Sequence, residues 1–318
     1  MILKRKKVCL LVCSSIFGLH KDKLNDWVKQ MPELGIIADI EPVFVFSGNS
    51  IDIKPEVWIK LAQEISRRMS QYDGFVVIHG VDNLLYTASA LSFLLQNLIK
   101  PVVFTGSKYI GIETEKKDSK NIEIKANLIN AVQVINYEFT EVGLMFGNRL
   151  LRASQASTTS DGSLNIFTVP DAGVLGRIDF SFRIFDQVVI KNTGKAKLFN
   201  KLEANIEILN LVPVINSKML AKKNIDKQGI IINAGGYQSL PEDLILFFGR
   251  AARNTPVIIW SDKFLSPILG LKNISVINNL TWETTITKFM WILTQTHNVK
   301  KVKGLMARDI VGEIIYSK

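Results

Sequence analysis

Short apolar runs alternate with segments of helical length along the first 185 or so residues, and that alternation leaves few folds open. Val8–Val12, Val43–Phe46, Gly74–Ile78, Val102–Thr105 and Val142–Phe146 each read as a strand. Between them, Asp22–Met31, Pro55–Gln71, Leu84–Leu98 and Ile124–Asn136 read as helices. Strands joined by helices of this length predict a doubly wound, mainly parallel sheet, because parallel neighbours need a long crossover. Asn148–Val169 reads as two further strands joined at Ser160-Asp161-Gly162, a hairpin signal. Residues 186–205 are polar and irregular. The alternation then resumes with Gly229–Asn233, Pro241–Arg253, Val257–Ser261, Ser275–Ile277 and Thr281–Thr296. The expected organisation is a larger α/β domain over residues 1–190, a linker over 191–210 and a smaller α/β domain over 211–318.

Composition supports two cores and excludes several classes. The 318 residues are 47% hydrophobic and 21% charged, which is ordinary for globular domains. The longest apolar run, near Leu91–Leu98, is broken by Ser92, Gln96 and Asn97, so no membrane span is expected. The formal charge of +10 invites an anionic partner such as RNA. Its clusters at Lys4–Lys7, Lys116-Lys117, Lys222-Lys223 and Lys300–Lys303 are far apart, however, and none is interleaved with aromatics as a base-stacking platform would be. Nucleic acid is therefore not the expected partner. Three histidines and two cysteines are too few and too scattered to give a metal-ligand spacing, so neither metal nor cofactor is expected.

The opening stretch, MILKRKKVCLLVCSSIFGLH, has two readings on its own. Lys4–Lys7 followed by an apolar run and small residues resembles a secretion signal. The same residues, from Lys7 to Val12, also read as a buried strand that ends in a small-residue turn. Cys9 and Cys13, four apart in such a strand, would point to one face and would not form a disulfide.

In open α/β sheets, ligands sit at the carboxyl ends of strands. Three strands leave into small or polar turns: Val12-Cys13-Ser14-Ser15, Ile78-His79-Gly80-Val81-Asp82-Asn83 and Thr105-Gly106-Ser107. Around two of these turns, residues 72–107 read YDGFVVIHGVDNLLYTASALSFLLQNLIKPVVFTGS. This stretch resembles the cytoplasmic, type I class of bacterial L-asparaginases, which carry HGTDTM, YTASALSF, KPVV and TGSQ in the same order. Asn127–Ala131, Glu141-Val142, Leu150-Leu151-Arg152, Lys288–Leu293 and Gly312-Glu313-Ile314 continue the likeness nearly end to end. The resemblance implies the asparaginase-like two-domain fold, a cytoplasmic location, assembly as a homodimer or homotetramer, and a small amino-acid ligand such as asparagine or aspartate. It also implies that the opening stretch is the first strand of the fold and not a secretion signal.

The family's chemistry rests on two threonines, a lysine, an aspartate and a tyrosine on a lid, and this sequence departs from nearly all of them. The relay threonine of HGTD is replaced by Val81, which keeps the shape and loses the hydroxyl. The relay lysine of RGNRTTK falls on Thr158, and no lysine occurs between Arg152 and Asp186. The nucleophile position falls on Ile16 in the ungapped alignment, or on Ser15 if the following isoleucine is kept in place. No tyrosine precedes Tyr72 to serve a lid, and the Phe264–Lys272 loop is shorter than in the family. Asp82 matches the aspartate that binds the substrate α-amino group; the alternative is that it caps the helix that follows. Ser50 matches the serine that holds the α-carboxylate. His79 reads as structural.

Three functions follow. The first is an asparaginase homologue with weak or no hydrolase activity, because nucleophile activation needs a hydroxyl and a base together. The second is an active amidohydrolase that uses Ser15, or Cys13, as nucleophile. The third is a component of tRNA-dependent amidation, which would also need the Thr–Lys pair.

Overall fold

The computed structural model describes residues 5–13, 24–107, 117–159, 166–192, 194–222, 227–263 and 273–316, with the side chains of 117–121 and 222 excepted. The chain divides into two compact units, Met1–Asn200 and Lys201–Lys318.

In the first unit the strands are β1 (Lys6–Cys13), β2 (Ala38–Phe46), β3 (Gly74–His79), β4 (Leu95–Gln96), β5 (Val102–Thr105), β6 (Val142–Phe146), β7 (Arg149–Arg152), β8 (Ser157–Thr158), β9 (Phe167–Thr168), β10 (Val174–Ile178), β11 (Phe182–Ile184) and β12 (Lys197–Leu198). The helices are α1 (Leu24–Lys29), α2 (Pro32–Ile37), α3 (Pro55–Arg68), α4 (Leu84–Leu94) and α5 (Lys117–Val134). Eight strands form one mixed sheet in the order β11-β10-β7-β6-β5-β3-β1-β2. From β2 to β6 every pairing is parallel, and from β6 to β11 every pairing is antiparallel.

The expected parallel core is present, and β1 lies inside it between β2 and β3. Val8 to Cys13 are wholly buried, as a strand covered on both faces requires. On one face Val8, Leu10 and Val12 share a core with Leu24, Met31 and Leu34 from the α1–α2 region and with Ile124, Leu128 and Val132 of α5. By strand alternation Cys9, Leu11 and Cys13 point to the opposite face. Both cysteines are free. Helix α3 buries Trp58, Leu61, Ala62 and Ile65, an i, i+3, i+4, i+7 stripe, with Pro55 pre-set in its first turn. Helix α4 is apolar all round and buries nearly every residue, so its weak amphipathicity reflects burial between layers.

Several elements differ from the sequence reading. The helix expected over Asp22–Met31 is α1, described from Leu24 to Lys29, and a second short helix, α2, which the sequence reading did not place, follows it. Pro32 cannot continue α1 and opens α2. Strand β2 starts at Ala38, five residues before Val43. Pro42 hides it in the sequence, and the position of β2 at the sheet edge is what makes a proline tolerable. Helix α4 ends at Leu94 rather than Leu98, because Leu95–Gln96 pairs with Lys197–Leu198 and Asn97 turns the chain at φ 54°. The hairpin expected over Asn148–Val169 is divided. Arg149–Arg152 joins the large sheet, while Ser157–Thr158 pairs with Phe167–Thr168. The expected turn Ser160-Asp161-Gly162 lies outside the described residues.

In the second unit β13 (Ile206–Asn210), β14 (Gly229–Asn233), β15 (Val257–Trp260) and β16 (Ile274–Ile277) form an all-parallel sheet in chain order. Helices α6 (Ser217–Lys222), α7 (Glu242–Ala251), α8 (Trp282–Leu293) and α9 (Val299–Ala307) accompany it. The segment 191–210 expected as a linker carries β12 of the first unit and the edge strand β13 of the second. Its polar composition concealed both, since β13 buries only Leu209. The fold is thus α/β, with a large, mostly parallel sheet domain followed by a smaller α/β domain. No helix among the described residues is long and apolar enough to cross a membrane.

Candidate functional site

Strand order in the large sheet reverses at β1. The chain passes from β1 to β2 on one side and then crosses to β3 on the other. A reversal of this kind opens a crevice at the carboxyl ends of the two inner strands, because their following loops run apart. Here those ends are Cys13 and His79, which are register partners.

The loops leaving β2 and β3 meet across this end of β1. Ser50 lies in a short 3₁₀ turn, Ser50–Asp52, just after β2. Its Oγ donates to Asp82 Oδ2 at 2.6 Å. Asn83 Nδ2 donates to the carbonyls of Ser50 and Ile51 at 3.0 and 3.1 Å. Ser50 is buried while Asp82 is exposed, so the serine is fixed and one face of the carboxylate is open to a ligand. The two residues expected to hold an α-carboxylate and an α-amino group are therefore in direct contact. Asp82 does not cap α4. Asn83 holds the N-cap position there without a side-chain cap bond, and the Asp82 carboxylate is turned to Ser50. The sequence places Asn83 in the turn after β3 but assigns it no role, since nothing in a one-dimensional pattern marks which loop its amide reaches.

His79 is fully buried beneath the crevice. Its Nδ1 faces the Gly80 carbonyl at 2.6 Å, and a carbonyl can only accept, so Nδ1 carries the proton. Nε2 lies 2.9 Å from Thr87 Oγ1, whose single proton is shared between this nitrogen and the Asn83 carbonyl at 3.1 Å. Burial lowers its pKa to about 4, against the smaller opposing pull of the Gly80 hydrogen bond and the Asp82 charge. The ring is a neutral strut at neutral pH. Cys13 is buried as well, and desolvation pushes its thiol up to about 12 despite the nearby Lys60 charge. A thiol in that state supplies no thiolate, so Cys13 is not an activated nucleophile.

Val81 is half-buried beside Asp82 and brings no hydroxyl. Thr158 is exposed on β8, paired with Phe167, and among the described residues no hydrogen bond ties it to Asp82. Ser15 and Ile16, the two candidates for the nucleophile position, lie outside the described residues, as does Phe264–Lys272. The turn after β5 is closed on itself. Asn127 Nδ2 donates to the Gly106 carbonyl, its Oδ1 accepts from Gly147 N, and Ser107 Oγ donates to Glu123. Among the described residues no group of three or more His, Cys, Asp or Glu side chains is placed to hold a metal ion.

This architecture is shared with solved structures. The L-asparaginase I of Vibrio cholerae superposes with a TM-score of 0.83 at 26% identity, covering 98% of this chain and 100% of that one. The family model described as Asparaginase, N-terminal matches residues 18–189, more than half of the chain, and the chain belongs to the asparaginase family. Among curated proteins it is 28% identical over 320 residues to a glutamyl-tRNA(Gln) amidotransferase component of Thermococcus kodakarensis, covering 91% of this chain and 70% of that protein. It is 25% identical over 295 residues to the L-asparaginase of the same organism, covering 87% of each.

Proposed function

We propose that this chain is a type I-like, cytoplasmic member of the asparaginase family that binds a small amino acid, asparagine or aspartate, at Ser50 and Asp82 and hydrolyses asparagine weakly or not at all. The observation that carries the reading is the Ser50–Asp82 bond across the switch-point crevice, with Val81 in place of a hydroxyl beside it. Recognition of an α-amino group needs a carboxylate held open to solvent, and Asp82 supplies one. Amide hydrolysis also needs a proton relay. The positions expected to provide it are a valine and an exposed threonine. Association as a homodimer or homotetramer accompanies this reading. Nucleic acid is not part of this reading, because the basic clusters are dispersed along the sequence.

A missing general base costs roughly two to four decades in rate. With the relay hydroxyl and lid tyrosine absent too, ammonia release from L-asparagine is expected at least about three decades below an ordinary asparaginase. The test measures ammonia release by the full chain beside its Ser15→Ala and Asp82→Ala variants. Fast turnover abolished by Ser15→Ala would overturn the proposal and establish the alternative, an active amidohydrolase with Ser15 as nucleophile. The double change Val81→Thr with Thr158→Lys is expected to raise activity if Ser15 occupies the nucleophile position and to leave it flat if Ile16 does.

A further inference from the structure

Strand β2 is an edge of the large sheet, and a groove of about 430 Å³ runs along it, lined by neither Ser50 nor Asp82. One wall is formed by Pro42, Val43 and Phe44 of β2 with Leu24 and Asn25 of α1, and carries no charge. The other is a single face of α3, where Lys60, Glu64, Arg67 and Arg68 fall at i, i+4, i+7 and i+8. The groove is within the size range of small-molecule sites.

Its charges are not balanced. Glu64 is the one carboxylate in the lining, and a single oxygen, Oε2, pairs with Arg67 at 2.9 Å and with Arg68. Lys60 Nζ donates to the Val45 carbonyl at 2.8 Å and has no acidic partner among the described residues. Three cations thus face one anion, a surplus of two. Cations in the last turn of a helix are favoured by its dipole, which accounts for Arg67 and Arg68. It does not account for Lys60, two turns earlier and turned into the same groove. Arg68 is only 15% exposed, so its guanidinium is held in the wall rather than solvated beyond it.

We propose that this groove binds a small dianion, a phosphate monoester or a dicarboxylate. Guanidinium groups present paired N–H donors that match the oxygens of either anion, and the Lys60 ammonium adds a point charge from the same face. Two negative charges neutralise the surplus, and the uncharged wall of β2 accepts the ligand's carbon skeleton.

The experiment is calorimetric titration of the full chain at constant ionic strength, with inorganic phosphate in one arm and succinate in the other. Saturable binding of at least one is expected, and the tighter of the two identifies the source. Lys60→Gln and Arg67→Gln should each weaken binding about tenfold, since each removes a charge-assisted contact. Arg67 is 65% exposed, so its replacement leaves the fold intact, and circular dichroism of each variant checks this. Asp82→Asn should leave the affinity unchanged, which separates this groove from the amino-acid site. Absence of saturable binding in both arms, unchanged affinity in the two α3 variants, or loss of binding in Asp82→Asn would each overturn the proposal.

Discussion

The two sheets put similar residues at their strand ends to opposite uses. In the large unit the order reverses at β1, and the loops after β2 and β3 meet through Ser50 and Asp82 with the carboxylate left exposed. In the small unit the four parallel strands follow chain order without reversal. There Asn233 Oδ1 accepts from Gly235 N at 2.9 Å, and Ser261 Oγ donates to the Gly235 carbonyl at 2.8 Å. Those polar side chains close their own turns, and the one acid beside them among the described residues, Asp262, is exposed with no serine bonded across to it as Ser50 is to Asp82. A parallel sheet alone does not make a site; a reversal of strand order, with a polar group that no turn consumes, does.

If the two units differ in this way, damage to the small unit lowers stability and leaves ligand recognition by the large unit untouched, whereas damage at the crevice does the reverse. The largest effect is expected at Lys288, which is wholly buried on α8. Its Nζ pairs with Glu313 at 2.6 Å and donates to the Met306 and Arg308 carbonyls at 3.0 and 2.6 Å. Burial pushes the lysine ammonium down and the glutamate carboxyl up, and each opposes the shift through its charge on the other. Lys288→Met strands Glu313 and is expected to cost about 3–5 kcal/mol in urea denaturation. Loss of aspartate binding in folded Lys288→Met protein would break the comparison.

His79 gives the next effect, in the large unit. Its folded pKa of about 4 lies below the ordinary 6.5, so the unfolded chain binds the proton first as pH falls. Stability from the neutral ring is complete above pH 6.5 and is lost as pH falls from 6.5 toward 4, by up to about 3 kcal/mol. Denaturation midpoints at pH 7.5 and 4.5 should show this slope in the native sequence and a flatter one in His79→Gln.

Asp82→Asn removes the charge expected to meet an α-amino group. Aspartate affinity should fall by about 1.5–3 kcal/mol, roughly tenfold to a hundredfold, with the melting temperature nearly unchanged. Equal affinity in calorimetry would sink the assignment of Asp82. The smallest effects come from two residues at equivalent helix starts. Thr281 caps α8, accepting from Thr284 N at 3.3 Å, and Thr281→Ala should cost about 1 kcal/mol of stability with no change in affinity. Asn83 makes no such cap bond and instead holds the Ser50 loop, so Asn83→Ala should weaken ligand binding with little effect on stability.

Much of the large sheet was legible because its strands are buried on both faces. Gly74–Ile78, Val102–Thr105 and Val142–Phe146 are apolar almost without interruption, and a run of that kind has few other uses. The edges were legible only in part: Ser275–Ile277 and Val43–Phe46 were read as strands, whereas the first half of β2, β11 and β13 were not. Strand β2 contains Pro42 and the charged residues Asp39 and Glu41, and all of β13 but Leu209 is half-exposed or exposed. An edge strand is half-solvated, so its composition resembles that of a loop. The site was legible in part. Asp82 and Ser50 stood out through the family likeness, whereas their mutual bond, the role of Asn83 and the buried state of Cys13 did not.

The sequence by itself determined the order of elements, the location of the turns that leave the central strands, and the replacement of the relay hydroxyl by Val81. These are local properties, set by burial of apolar runs and by which atoms a side chain carries. Only the tertiary structure decided that residues 50 and 82 touch, and that Glu141 and Arg152 pair at 2.6 Å inside one core and Lys288 and Glu313 inside the other. Those outcomes depend on strand order and helix rotation. Both are set by the packing of the whole sheet against its helices, through contacts between residues 11 to 32 positions apart that no local pattern encodes.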